Sequence, residues 1–139
     1  MSTLDSLIRL NRWQLDEQRR CVAELEQLAV KLRAELARLE QEQAAEQAAA
    51  QRSPEAAYGY GAYAETVIER RRKLTQSLAD TDQKMAKARD ALSEAFQEVK
   101  RYEIAAARRV LAQRTEQERL QQRDTDEQAG NLYRRFQGK

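Results

Sequence analysis

Apolar residues return along this chain every 3.5 positions, and they do so twice. From Leu4, steps alternating between four and three meet Leu4, Ile8, Asn11, Leu15, Gln18, Val22, Leu25, Ala29, Leu32, Leu36, Leu39, Gln43, Glu46 and Ala50, of which ten of fourteen are apolar. A mean spacing of 3.5 specifies a left-handed coiled coil in preference to a straight amphipathic helix. This seam predicts a first helix over about residues 3–51, with Ser2 and Thr3 as candidate N-caps. A second seam runs Val67, Arg71, Leu74, Leu78, Thr81, Met85, Ala88, Leu92, Ala95, Val99, Tyr102 and Ala106. No Pro or Gly falls between Gly61 and Gly130 to interrupt it, so a second helix is predicted over about residues 63–136.

Between the seams lies RSPEAAYGYGAY, residues 52–63, which holds the only Pro, two of the four Gly and three of the five Tyr. In an antiparallel hairpin the numbers of facing residues add to a constant. Leu36 with Leu78, Ala29 with Met85, Val22 with Leu92, Leu15 with Val99 and Ile8 with Ala106 all add to 114. Leu39 with Leu74, Leu25 with Ala88 and Asn11 with Tyr102 add to 113. Any two regular seams can be given some constant, so the repeated meeting of large with small side chains carries more weight. The same register sets Gln43 opposite Arg71 and puts the midpoint near Ala57.

The fold class is therefore all-α: a long antiparallel two-helix coiled-coil hairpin, a single unit over residues 1–139. Its turn is expected over about 52–62, and helix 2 overhangs at the C-terminus. Ser53-Pro54 is suited to stop the first helix, and Gly59 and Gly61 supply permissive backbone for the reversal. Asn11, Gln18 and Thr81 are candidates to set register, either in a monomer or in a weak homodimer.

Composition agrees with a buried seam in place of a compact core. Of 139 residues, 35% are charged and 6% aromatic, and the 41% that are apolar are mostly Ala and Leu. Basic and acidic residues nearly balance, 25 against 23, and residues 52–139 hold 18 against 14, which speaks against a nucleic-acid partner. The chain has no His and a single Cys, Cys21, so His bases, Cys–His pairs and thiolate zinc cages cannot be built. No Gly-rich phosphate loop is present, and the carboxylates alternate with Arg and Lys as solvated pairs. No catalytic residue, metal site or cofactor is expected, and the chain reads as no enzyme. A lone Cys, no apolar run long enough for a bilayer and no signal-peptide shape predict a cytoplasmic protein, peripheral to the inner face of the membrane at most.

Three features lie outside the seam. The overhang, residues 111–136, is polar until Leu132, Tyr133 and Phe136; it reads equally as a fraying end or as a helix that docks through those residues. Leu10, Trp13, Ile104 and Leu111 fall on outer heptad positions at the terminal end. An outward Trp favours a partner surface over simple fold-back or hairpin association. Arg70, Arg71, Arg72 and Lys73 form a collar just past the turn, suited to an acidic contact or needing no function at all. Tyr58, Tyr60 and Tyr63 beside it are not explained by the turn.

The opening DSLIRLNRWQLDEQRR and the entry to the second helix, YGAYAETVIERRRKL, resemble the FliJ family in its alphaproteobacterial form. That family is the small soluble component of the flagellar type III export apparatus. The resemblance covers nearly the whole chain and brings no catalytic signature. It implies a non-enzymatic, stalk-like coiled coil that associates with the hexameric export ATPase and its regulator. It also implies contact with the cytoplasmic domain of the export gate and with export chaperones. The residues add that the terminal end would engage the ATPase, and the Tyr-rich turn the gate or chaperones. The alternative is a generic structural or regulatory coiled-coil hairpin inserted into a larger enzyme or secretion complex.

Overall fold

The computed structural model describes residues 2–138. It contains two α-helices, α1 (Thr3–Arg52) and α2 (Pro54–Gln137), and no strand among the described residues. They contribute to two compact units. One comprises residues 13–96; the other comprises residues up to 12 together with residues from 97 onward.

Local chemistry sets the helix ends. The Asp5 amide donates to Ser2 Oγ at 3.1 Å, and the Ser2 amide donates to Asp5 Oδ2 at 3.3 Å. This reciprocal capping box satisfies the first orphan donors of α1, so Ser2 is the cap and Thr3 the first helical residue. Ser53 alone separates the helices, and its carbonyl accepts from the Ala57 amide at 3.0 Å. Pro54 stands at the first position of α2, where its missing N–H is harmless and its fixed φ suits the helix.

The turn expected over about 52–62 is therefore corrected: residues 54–62 are helical. Gly59 and Gly61 are not used for a left-handed turn, because no glycine has positive φ. A Cβ at either would meet nothing within 4 Å. Gly59→Ala and Gly61→Ala are each expected to raise stability by about 0.5–1 kcal/mol, since Ala restricts the unfolded chain and favours the helix. Thermal melts check this, and a lowered midpoint would show that one of these glycines serves the reversal.

In the unit of residues 13–96 the seam is the core. Leu15, Val22, Ala29, Leu39, Val67, Met85 and Ala88 are buried, with Thr81 the buried polar residue among them. Leu25, Leu32, Leu36, Leu74, Leu78 and Leu92 are half-buried between them. Arg33 pairs with Asp82 at 3.6 Å and Arg89 with Glu26 at 3.3 Å, numbers that add to 115. Arg71 donates through Nη2 to Gln43 Oε1, numbers that add to 114. The register read from size matching is thus the register of the hairpin. In the other unit Ile8 and Val99 are buried, and Arg12 pairs with Glu103 at 3.2 Å, again adding to 115.

The polar seam residues divide by partner. Thr81 Oγ1 donates to the Ser77 carbonyl at 2.8 Å, and Asn11 Nδ2 donates to the Leu7 carbonyl at 2.7 Å. Both are satisfied within their own helix, which removes the desolvation cost without coupling the helices. Between seam residues, the cross-helix hydrogen bond is Gln43–Arg71, a half-buried contact able to specify register. Arg71 Nε is buried without a partner, so this layer contributes specificity more than stability.

Candidate interaction surfaces

In the unit of residues 13–96, the end of α1 and the first turns of α2 differ in chemistry from the rest of the molecule. Across residues 47–64 the charged residues are Arg52 and Glu55, in a chain that is 35% charged. Loss of charge together with aromatic enrichment marks the cores of protein interfaces. Tyr58 is 96% exposed, which leaves its ring without intramolecular packing. Tyr60 and Tyr63 are half-buried and stack in a tilted pair, centroids 6.2 Å apart at 42°. Burial first, then the Glu42 and Glu46 carboxylates, raise the Tyr63 phenol above its ordinary value, against the opposing pull of Arg70.

The four cations that follow are not equivalent. Arg71 turns into the seam to Gln43. Arg72 grips Glu69 through both Nε (3.1 Å) and Nη2 (2.7 Å), and this hydrogen bond holds the Glu69 carboxyl below its usual range. Arg70 and Lys73 remain exposed, with no ion pair among the described residues. The collar thus presents two free cations.

Trp13 belongs to the same unit and is 60% exposed. Val30 (64%) and Ile68 (61%) are equally exposed and were not among the sequence candidates, although a wheel of the full helices would have placed both off the seam. An open groove of about 300 Å³ lies among Leu15, Leu92, Phe96, Arg19, Arg89 and Ser93.

In the unit that includes residues 97–138, Leu10, Ile104 and Leu111 are exposed, as are Leu132, Tyr133 and Phe136. Tyr133 Oη accepts from Gln137 Nε2 at 2.8 Å. Apart from half-buried Gly130, residues 111–138 are exposed. The α2 segment there is laced by its own pairs, Glu116–Arg119 at 2.8 Å and Arg123–Glu127 at 3.9 Å, and is helical to Gln137. Solvent-exposed pairs of this kind add little, so only local chemistry holds this stretch. A polar helix that ends in three exposed apolar residues fits a docking end.

Among the described residues no group of three His, Cys, Asp or Glu side chains could hold a metal ion. Among the described residues no helix is long and apolar enough to cross a membrane. The family model described as Flagellar FliJ protein matches residues 1–138. No curated protein and no solved structure matches the chain.

Proposed function

Because the chain belongs to the flagellar FliJ family, a non-enzymatic component of flagellar protein export, we propose that it is the stalk of the export apparatus. In this reading it links the export ATPase ring to the export gate and escorts export chaperones, from the cytoplasm. The observation that carries the reading is that the seam-built helices leave two chemically different sets of residues exposed. One is the charge-poor, Tyr-rich start of α2; the other is the set of exposed apolar residues on the segments near the two termini.

The terminal segments, with Leu10, Trp13, Ile104, Leu111, Leu132, Tyr133 and Phe136, are assigned to the ATPase and its regulator. Tyr58, Tyr60 and Tyr63, with exposed Arg70 and Lys73, are assigned to the gate or chaperones. A chain ending at residue 119 keeps every seam residue and loses Leu132, Tyr133 and Phe136. It should stimulate the purified export ATPase at least tenfold less than the full chain at equal concentration. Undiminished stimulation would remove the overhang from the ATPase contact.

A further inference from the structure

We propose that the outer face of α2 between residues 100 and 114 is a docking stripe for an acidic amphipathic helix of a partner protein. The inference rests on the reading that the terminal segments carry an export-apparatus contact, and it supplies the chemistry of that contact. Ile104 and Leu111 are seven residues apart, so they share one face to within about 20°. That face lies opposite the seam residues Val99, Tyr102 and Ala106, which face inward. Ile104 is 51% and Leu111 62% exposed, and Ala107 lies between them. α2 is thus amphipathic twice over this stretch, and its second apolar stripe has no partner among the described residues.

Cations rim both sides of the stripe: Lys100 and Arg114 on one, Arg101 and Arg108 on the other. Residues 100–114 carry Lys100, Arg101, Arg108, Arg109 and Arg114 against Glu103, while the whole chain is only +2. Lys100 pairs with Glu103 at 3.3 Å and Arg101 with Glu98 at 3.1 Å. Among the described residues Arg108 and Arg114 make no ion pair, so on each side of the stripe one cation is held by an acid of its own helix and one is not. Two free guanidiniums flanking a narrow apolar stripe ask for carboxylates on both sides of an apolar ridge. A helix with Leu-like residues on one face and Glu or Asp at the flanking positions supplies that arrangement. A stripe of two large side chains is too narrow to anchor a helix in a lipid interface, which requires a broad face of large apolar groups. Charge complementarity of this kind sets partner choice and encounter rate more than affinity.

The test places p-benzoylphenylalanine at position 111 of the full chain in its native host, followed by photolysis and mapping of the crosslinked peptide. The stripe predicts a peptide of helical apolar periodicity with an acidic excess. Crosslink yield should fall at least tenfold when R108E and R114E are added, and be retained with R108K and R114K. Helicity by circular dichroism should be unchanged, because both side chains are exposed. Crosslinks to lipid, to a peptide without acidic excess, to a second copy of this chain, or to nothing overturn the proposal, as does a yield indifferent to charge reversal. If the acidic peptide comes from a protein other than the export ATPase, the stripe stands and the assignment of the terminal segments to the ATPase falls.

Discussion

Leu39→Ala is expected to lower the unfolding free energy by about 2–5 kcal/mol, the range for emptying a well-packed core site. Leu39 is 2% exposed, and Val67, at 1%, is the other large side chain buried as completely. A two-helix seam has no second layer behind it that could collapse into the space. The comparison is Leu28→Ala: Leu28 is 44% exposed off the seam, and its truncation should cost no more than about 0.5–1 kcal/mol. Chemical denaturation of both variants gives the two values. Equal losses would mean that burial along the 3.5-residue seam does not hold the hairpin together.

The largest functional effect is expected from replacing Tyr58, Tyr60 and Tyr63 together by Ala. The prediction is a loss of at least tenfold in capture of the gate's cytoplasmic domain or of an export chaperone, with helix content retained. Tyr58 contributes nothing to the fold at 96% exposure. The Tyr60–Tyr63 pair contributes about 0.5–1.5 kcal/mol beyond area burial, a loss the hairpin can absorb. Rigid aromatic side chains on a surface poor in charge have the composition of a binding hot spot. Tyr63→Phe serves as a control, removing the phenol that Glu42 and Glu46 perturb while keeping the ring stack. Capture that survives the triple substitution would remove the start of α2 from the gate or chaperone contact.

Much of this was legible in the sequence because a coiled coil writes its packing as a period. Every buried residue, from Ile8 to Val99, is a seam position of the 3.5-residue pattern. The register was legible because size matching and the Gln43–Arg71 layer constrain it independently. The break was less so. Pro and Gly read as turn formers, yet Pro at a first helical position is favourable, and two helical Gly cost about 1 kcal/mol each relative to Ala. Neither is enough to stop a helix that continues into a long seam, so only Ser53 is left outside. The four cations of the basic collar differ in the structure for a related reason. Four successive cations look equivalent in sequence, but Arg71 is also a seam residue and turns inward, while Glu69 lies three residues before Arg72 and neutralises it. Val30 and Ile68 are not legible in the same way, because a single apolar residue on a polar helix face carries no signal of its own. Division into two units has no counterpart in the seam, which continues through both.

The stalk reading stands on two surfaces that act separately, and one capture experiment addresses that directly. The wild-type chain, the triple Tyr→Ala variant and the chain ending at residue 119 are each presented to the export ATPase, the gate's cytoplasmic domain and an export chaperone. The account predicts a crossed result: the Tyr variant keeps the ATPase and loses the gate or chaperone, while the shortened chain does the reverse. Both variants losing the same partners, or neither losing any, would contradict it.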